Sequence, residues 1–374
     1  MEYEKLISEK ARKVDASGIR KVFDLAAKMT DPINFSIGQP HFDVPGPIKA
    51  EAIRAIESGF NSYTPTQGYG PLRERIAGLL TAELGWPDPA VLVTSGVSGG
   101  LLLACMALLD PGDEVLIADP YFVMYKHLVN LVGATPVMVD TYPDFALDPD
   151  RFAAKITPRT KLMLVNSPAN PTGKLASADE LAGLLKLADR HGVLVVSDEI
   201  YNEFCYDGRY VSAARLGPAN GTLLLRGFSK TYGMTGWRMG YAAGPRPIIE
   251  QMTKLQQYTF VCAPSMAQKA AVAALDVDMS AYVAEYHRKR DIIYDGLKGE
   301  FEVTRPGGAF YIFPKSPGGP ATPFCEQAIA NNVLIIPGSV FSGRDTHFRN
   351  SFAAADDKLA AGAEILCRLA RACR

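Results

Sequence analysis

Lys230 stands in surroundings that are unusual for a lysine. It follows the apolar run T-L-L-L within the segment R-G-F-S-K-T-Y-G-M-T-G-W-R-M-G, where its neighbours are small or aromatic. Most lysines are solvated surface charges, but a partly desolvated lysine near another cation has a lowered pKa and can form a Schiff base with a carbonyl group. Arg238 follows in the same segment. It could supply that cation and could also bind a phosphate through two hydrogen bonds.

Asp198 leaves the apolar run V-L-V-V in the segment S-D-E-I-Y. A carboxylate at the end of a buried strand can accept a hydrogen bond from a heterocyclic nitrogen and keep that nitrogen protonated. The alternative is that Asp198 or Glu199 only caps the next turn. The segment by itself favours neither interpretation.

Two loops could bind the remaining polar groups of a ligand. T-S-G-V-S-G-G at 94–100 precedes an apolar helical segment, and the N–H groups at a helix start bind anions; a plain turn fits equally well. N-S-P-A-N-P-T-G at 166–173 offers the Asn170 amide to a ring hydroxyl and could contain a cis Asn170–Pro171 bond, although an ordinary proline turn is the alternative. Together the four segments match a ring with a basic nitrogen, a phenolic oxygen, an aldehyde and a phosphate, which is pyridoxal 5'-phosphate (PLP).

Buried strands must position these segments, because each of them follows a short apolar run. The runs cover residues 91–94, 114–118, 135–139, 162–166, 193–197, 222–225 and 239–243. Most are apolar throughout, which is typical of strands buried on both faces of a parallel sheet. Helical segments lie between them, one starting near Gly100 and another opened by a Ser177–Glu180 capping box and closed by Gly192. In such an α/β protein, ligands bind at the carboxyl ends of the strands.

The pattern changes after about residue 280. A charged helical stretch, Tyr282–Lys298, leads into E-V-T-R-P-G-G-A-F-Y-I-F-P, which predicts a new set of strands. We therefore expect a large domain at 46–279 and a smaller domain at 280–374 that includes the N-terminal segment 1–45.

Composition restricts the class of partner. The 374 residues carry 39 basic and 40 acidic side chains, so nothing favours nucleic acid or an anionic membrane. The charged N-terminus and the absence of an eighteen-residue apolar run predict a cytoplasmic protein without a signal peptide or membrane span. The six cysteines form no C-x-x-C and the five histidines are scattered, so neither disulfides nor a metal site are expected.

Five motifs in order resemble those of the class I/II aminotransferases, the PLP enzymes of fold type I in the aspartate aminotransferase superfamily. Gly227–Gly240 is similar to the lysine signature of that family, and N-P-T-G, D-E-I-Y, Y-T-P-T-Q-G-Y-G-P-L-R at 63–73 and P-G-G-A-F-Y-I-F-P match as well. The resemblance covers nearly the whole chain. It implies an α/β fold with a mostly parallel seven-stranded sheet in the large domain and a smaller α+β domain.

The resemblance also implies roles for single residues in catalysis and ring binding. Lys230 would form the Schiff base and Asp198 would pair with the pyridinium nitrogen. Asn170 and Tyr201 would hydrogen-bond the 3'-oxygen of the ring.

The substrate and the face of the ring have their own implied partners. Phe122, in D-P-Y-F-V-M-Y, would stack on the ring, with the neighbouring Tyr121 as an alternative. Arg349, in H-F-R-N-S-F-A, would bind the substrate α-carboxylate, with Gly38 beside it.

The phosphate would be bound by backbone amides, with Arg238 as its charge partner. The other groups expected around it are Gly96, Val97, Ser98 and Ser229. Tyr63 would reach the phosphate of a neighbouring subunit, which implies a homodimer with shared active sites.

Four positions depart from the family pattern. Gly227 stands where many members have a serine that touches the phosphate, and Val97 lacks a hydroxyl found in some. Phosphate binding is therefore expected to depend more on Ser98, Ser229 and backbone amides. Gln39 and His41 replace residues that are commonly acidic, so the entrance of the pocket is expected to differ.

The predicted function is transfer of an amino group from an L-amino acid to a 2-oxo acid by a ping-pong mechanism. A PLP-dependent C–S β-lyase is the nearest alternative, because it needs the same lysine, aspartate and arginine. A non-catalytic PLP-binding regulator is less favoured, since the chain has no additional DNA-binding domain, and a nicotinamide enzyme lacks its G-x-G-x-x-G motif. Specificity is expected in loops and around 19–23, with a neutral or aromatic amino donor and 2-oxoglutarate or pyruvate as acceptor.

Overall fold

All seven apolar runs form strands of one sheet in the computed structural model, which describes residues 3–12, 14, 18, 22, 29–208, 210–217 and 221–373. The strands are β1 (Ile33–Asn34), β2 (Ala90–Ser95), β3 (Glu114–Asp119), β4 (Thr135–Asp140), β5 (Thr160–Asn166), β6 (Leu194–Asp198), β7 (Thr222–Gly227), β8 (Met239–Gly244), β9 (Tyr311–Ile312), β10 (Val333–Leu334), β11 (Ile336–Pro337) and β12 (Phe348–Ser351). The described sheet has the order β2-β8-β7-β6-β5-β3-β4, in which β8 alone runs antiparallel to its neighbours. The predicted mostly parallel seven-stranded sheet is confirmed.

Both faces of this sheet are covered, which explains the continuous apolar runs. In β7, Leu223 and Leu225 belong to one hydrophobic cluster, whereas Leu224 between them belongs to another on the opposite face. All three side chains are fully buried. Alternate residues of a strand point to opposite faces, so a strand covered on both sides needs apolar residues at every position.

Helices connect the strands and cover the sheet. They are α1 (Glu9–Arg12), α2 (Gly46–Glu57), α3 (Gly70–Leu84), α4 (Gly96–Leu108), α5 (Met124–Leu131), α6 (Pro149–Ala153), α7 (Ala178–His191), α8 (Ala213–Leu216), α9 (Phe228–Thr231), α10 (Arg246–Gln257), α11 (Ser265–Ala274), α12 (Ser280–Leu297), α13 (Ala321–Ala330) and α14 (Asp356–Ala372), with 3-10 turns at Tyr3–Leu6 and Gly338–Val340. Helix α7 has the predicted capping box at Ser177 and Glu180 and ends at Gly192 in the left-handed conformation. No described helix is long and apolar enough to cross a membrane.

Helix α4 starts earlier than the sequence predicted. It begins at Gly96 rather than near Gly100, because the chain turns into the helix at Gly96 itself, whose φ is 68°. That left-handed backbone conformation suits glycine. The sharp turn aims the first N–H groups of α4 at the carboxyl edge of the sheet.

The C-terminal part forms small separate sheets. Strand β1 pairs in parallel with β10, and β12 lies between β11 and β9 in antiparallel register. The set of strands predicted in E-V-T-R-P-G-G-A-F-Y-I-F-P is wrong except for β9. The N–H groups of Gly307 and Gly308 donate to the Gly173 carbonyl, and that of Ala309 donates to the Phe204 carbonyl, so this segment bonds to loops of the large sheet instead of forming a ladder. The 19–23 segment lies outside the described residues except for Val22.

Candidate active site

A cavity of about 280 Å³ opens at the carboxyl ends of the sheet strands. Most of the residues that the sequence singled out line it: Gly38, Val97, Ser98, Phe122, Asn170, Asp198, Tyr201, Ser229, Lys230, Arg238 and Arg349. Many of these residues lie close together because β2, β5, β6 and β7 all end at this edge of the sheet. The cavity therefore gathers residues from distant parts of the chain.

Lys230 lies in the short helix α9, which follows β7 directly. Its Nζ donates a 2.5 Å hydrogen bond to the Gly38 carbonyl oxygen. Loss of contact with bulk water, and next the positive charges of Arg238 and Arg349, lower the pKa of Lys230 to about 8, while Asp198 opposes this shift. In these surroundings a larger fraction of the lysine amine is neutral near physiological pH than in water.

Asp198 is the last residue of β6 and is buried, with 3% of its surface exposed. Tyr125 Oη donates to its Oδ2 at 2.7 Å, and the Ile200 N–H donates to its Oδ1 at 3.2 Å. Burial raises the pKa of Asp198 to about 6, and the two hydrogen bonds oppose that rise. Asp198 therefore caps the next turn through Oδ1, which was the alternative interpretation of its segment. The same side chain also lines the cavity.

Arg349, in β12, has its guanidinium between two aromatic rings. Its Cζ lies 4.6 Å from the ring centroids of both Tyr311 and Phe341. Nη1 donates to Asn170 Oδ1 at 3.1 Å and Nη2 donates to the Ser36 carbonyl at 2.7 Å. Its Nε is buried without a hydrogen-bond partner, and burial lowers the pKa of the group. A buried arginine in this setting can still bind an incoming carboxylate.

Tyr201 and Tyr311 form a hydroxyl pair across the cavity. Their Oη atoms are 2.9 Å apart, and burial raises the pKa of Tyr201 well above its ordinary value. Asn170 is held nearby because its N–H donates to Asn166 Oδ1 at 2.9 Å. The Asn170–Pro171 bond is cis, which is one of the two possibilities that the sequence left open.

A candidate anion site lies where α4 starts. A Cβ atom on Gly96 would lie 2.6 Å from Arg238 Nη2, so the guanidinium lies directly against the glycine backbone. Arg238 Nη1 also donates to the Thr235 carbonyl at 2.9 Å. Backbone N–H groups at the start of a helix and a nearby guanidinium form a phosphate-binding arrangement.

The structure describes the surroundings of three further positions, Gly227, Phe122 and Tyr121. A Cβ atom on Gly227 would lie 3.0 Å from the Met239 carbonyl, so the backbone of β8 occupies the space that a serine side chain would need. Phe122 lines the cavity, and its ring meets that of Tyr125 edge-on at 5.6 Å. Tyr121 is not among the lining residues described, and its N–H donates to the Phe341 carbonyl.

The family model of the aminotransferases of class I and II matches residues 30–364. The chain belongs to this family. A probable aspartate aminotransferase of Methanocaldococcus jannaschii is 38% identical over 92% of this chain and 94% of its own length. Aromatic-amino-acid aminotransferase 2 of Thermococcus litoralis is 35% identical over 94% of this chain and 95% of its own. The structure of aspartate aminotransferase from Thermus thermophilus with maleate superimposes with a TM-score of 0.91 at 33% identity, covering 97% and 99% of the two chains.

Family membership confirms the fold class and the aminotransferase assignment made from the sequence. The similarity does not choose an amino donor, because relatives of nearly equal identity are named for aspartate and for aromatic amino acids. The substrate must therefore be inferred from the residues of this chain.

Two expected site residues lie outside the cavity of this aminotransferase. Gly96 is beneath Arg238 and does not line the cavity itself. Tyr63 is 83% exposed on the surface of the chain. The fold of one chain therefore does not bring Tyr63 to the other site residues. Among the described residues, no cluster of three or more histidine, cysteine or acidic side chains could hold a metal ion.

Six lining residues were missed by sequence reasoning: Leu101, Tyr125, Asn166, Ile200, Thr235 and Tyr311. Three of them, Tyr125, Asn166 and Tyr311, form hydrogen bonds with predicted site residues. Asn166 Nδ2 donates to the Asp198 carbonyl at 2.9 Å, so it joins the ends of β5 and β6. Each of the three stands inside a motif that had been noticed for another residue, namely D-P-Y-F-V-M-Y, N-S-P-A-N-P-T-G and P-G-G-A-F-Y-I-F-P. Their polar side chains within those motifs could have indicated that they belong to the site.

Proposed function

We propose that this cavity is the active site of a PLP-dependent aminotransferase that moves an amino group from an L-amino acid to a 2-oxo acid. The observation that carries the proposal is Lys230, a lysine whose pKa is lowered to about 8 and which lies in one cavity with Asp198 and two arginines. Members of this family use PLP. The amine, the carboxylate and the two guanidinium groups correspond to the four groups that a PLP–amino acid pair would require.

The residues fit PLP. Asp198 would bind the ring nitrogen, Asn170 and Tyr201 the 3'-oxygen, and Phe122 the face of the ring. Arg238 would hold the phosphate, together with the start of α4 at Gly96, Val97 and Ser98 and with Ser229. Bound PLP supplies an electron sink for the Cα–H bond of the substrate.

The side chains of this protein would then perform the positioning and the proton transfer. Arg349 binds the substrate α-carboxylate and fixes the orientation of Cα. The Nζ atom of Lys230 accepts the proton that leaves Cα and later donates it, acting first as base and then as acid. Its pKa of about 8 suits both tasks near neutral pH. Asp198 must be ionised to keep a ring nitrogen protonated, and a cationic partner would favour its ionised form.

We propose a neutral or aromatic amino donor, with 2-oxoglutarate or pyruvate as the acceptor. Among the described residues, the cationic side chains of the cavity are Lys230, Arg238 and Arg349, all of which already have a role. Leu101 and Ile200, which have no proposed contact with PLP, add apolar surface to the cavity. Apolar surface favours a donor side chain without charge, and of the two acceptors it favours pyruvate, which has no second carboxylate.

We also propose that two chains form a homodimer with shared sites. Tyr63 and Tyr258 are 83% and 84% exposed. The segments that contain them are both hydrogen-bonded to Gln256. Gln256 Nε2 donates to the carbonyls of Thr66 and Val93, and the Gln256 carbonyl accepts from Val261 N–H. Large exposed aromatic side chains on an ordered surface are typical of interfaces. The cytoplasmic location remains a prediction.

The proposal is tested with Lys230→Ala. Wild-type protein loaded with PLP should transfer amino groups over many turnovers, and the variant should lose at least about a thousandfold of this activity, because both proton transfers depend on Nζ. Lys186→Ala, at an exposed position of α7, is the matched control and should keep wild-type activity. Sustained multiple-turnover transamination by Lys230→Ala would refute the proposal. Release of pyruvate and ammonia without an amino acceptor would indicate the lyase instead.

A further inference from the structure

The first loop, defined as residues 36–43, follows β1 and borders the active-site cavity. Two charged groups of the cavity donate to its backbone: Lys230 Nζ to the Gly38 carbonyl at 2.5 Å, and Arg349 Nη2 to the Ser36 carbonyl at 2.7 Å. Gly38 itself is closely packed, since a Cβ atom there would lie 3.0 Å from Tyr311 Oη. A shift of this loop would therefore break a hydrogen bond of each cation.

His41 attaches the far end of the first loop to helix α12. Its N–H donates to Tyr286 Oη at 2.9 Å, its Nδ1 lies 2.8 Å from the same oxygen, and its Nε2 lies 3.1 Å from Glu285 Oε1. Tyr286 is fully buried, and the side chain of His41 is 26% exposed. His41 thus makes three polar contacts with one helix.

These three contacts can all be made by a neutral imidazole. Because Tyr286 Oη accepts the backbone N–H, its own O–H is free to donate to an unprotonated Nδ1. The ring proton is then on Nε2, where Glu285 can accept it. Protonation of Nδ1 would direct a second N–H at Tyr286 Oη and leave the tyrosine O–H without this acceptor.

The charges around His41 come from two helices. Glu285 and Lys289 are on α12, and Asp356 begins α14. Burial is the main cause that lowers the pKa of His41, followed by the charge of Lys289, whereas Glu285 and Asp356 raise it. Lys289 is itself paired with both carboxylates, at 3.3 Å and 2.9 Å. The neutral imidazole therefore prevails near neutral pH and is lost as the pH falls.

We propose that His41 is a positioning residue, which holds the first loop against helix α12 and so keeps Gly38 and Arg349 arranged to receive the substrate carboxylate. His41 does not touch the substrate. The inference rests on the proposed function of the cavity. It also gives a physical role to a position at which this chain departs from the family pattern.

The test compares His41→Phe, Tyr286→Phe and the double variant with wild type. The ring of Phe42 packs on Tyr282 at 4.4 Å, so the loop keeps a second anchor and the variants should fold. His191→Phe, at an exposed position at the end of α7, is the matched control. The varied substrate is the 2-oxo acid, because its carboxylate does not titrate between about pH 5 and pH 8.

We expect His41→Phe to raise KM about tenfold at pH 8, the effect of about one lost hydrogen bond, with kcat changed less than about twofold. The wild-type KM should rise toward the variant value as the pH falls from about 8 to about 5, whereas the KM of His41→Phe should stay high and lack the part of the pH dependence that comes from His41. The effect of the double variant should be smaller than the two single effects combined, because both substitutions break the contact between His41 Nδ1 and Tyr286 Oη. A KM that is unchanged, or that keeps the wild-type pH dependence, would overturn the proposal.

Hydrogen exchange of the first loop gives a readout that does not need activity. In the protein without substrate, amides of residues 36–43 should exchange about tenfold faster in His41→Phe than in wild type and in His191→Phe. Equal exchange rates would show that His41 does not fix the loop. Faster exchange with an unchanged KM would show that the loop does not position the substrate, and it too would overturn the proposal. An inactive wild type would instead refute the proposed function, while the exchange data would still report on the loop.

Discussion

Burial acts on the two central residues in opposite directions. Removal from water disfavours the charged form of any side chain, so it raises the pKa of Asp198 to about 6 and lowers that of Lys230 to about 8. The two values approach each other, and both lie close to neutral pH. Lys230 can therefore accept and release a proton near neutral pH, whereas a cationic partner would keep Asp198 ionised.

The Tyr125 hydroxyl controls the charge of Asp198 at the residue scale. It donates to Asp198 Oδ2 at 2.7 Å and so stabilises the carboxylate against burial. Tyr125→Phe removes this donor, which should raise the pKa of Asp198 further. Since the proposed activity requires the ionised carboxylate, the acid limb of the kcat–pH profile should move about one unit to higher pH, and kcat at pH 6 should fall about fivefold.

The control for Tyr125→Phe is the same substitution at a tyrosine that does not line the cavity. Tyr294→Phe, on α12 beside Arg305, provides the same chemical change there and should leave the profile unchanged. An acid limb that stays in place in Tyr125→Phe would show that the hydroxyl does not stabilise the carboxylate.

At the scale of elements, the seven strands could be predicted because a strand buried on both faces has apolar residues at successive positions. Errors arose where an element lacks such a clear hydrophobic pattern. The run at 162–166 missed the start of β5 because Thr160 and Lys161 are polar. The start of α4 was predicted too late because glycines and a serine at 96–100 are also typical of a loop. Tyr125 and Tyr311 could not be assigned, since their partners Asp198 and Tyr201 are distant in sequence.

Helix α4 must begin with a glycine if Arg238 is to reach the anion site. Gly96→Ala would place a methyl group 2.6 Å from Arg238 Nη2 at a φ of 68°. We expect PLP to bind at least about tenfold more weakly, because the guanidinium must move and the turn is strained. Titration of the cofactor-free protein with PLP, followed by absorbance, measures this.

Gly78→Ala is the matched control, since Gly78 lies within α3 and a Cβ atom there meets nothing within 4 Å. This substitution should stabilise the protein by about 0.5–1 kcal/mol and leave PLP affinity unchanged. Equal PLP affinity of Gly96→Ala and wild type would contradict the assigned anion site.

At the scale of the whole molecule, the C-terminal part contacts the large sheet through aromatic side chains. His347 stacks on Phe313 at 5.2 Å and meets Tyr142 and Phe145, which follow β4. Burial lowers the pKa of His347 to about 4, so this contact stays uncharged at neutral pH. The domain division at 45/46 and 279/280 remains our proposal. The pairing of β1 with β10 supports the assignment of the N-terminal segment to the C-terminal part.

If two chains share their active sites, two different inactive or weakened chains should together form one intact site. Tyr63→Phe should weaken PLP binding about tenfold, the effect of one lost hydrogen bond to phosphate, and Lys230→Ala should be inactive. A heterodimer of the two variants, co-expressed with different affinity tags, would contain one site built from an intact Lys230 chain and an intact Tyr63 chain. That site should bind PLP with wild-type affinity and give about half of the wild-type activity, because one of two sites is restored. If Tyr63 acted within its own chain, every heterodimer site would carry a substitution, and PLP affinity would stay at the Tyr63→Phe level.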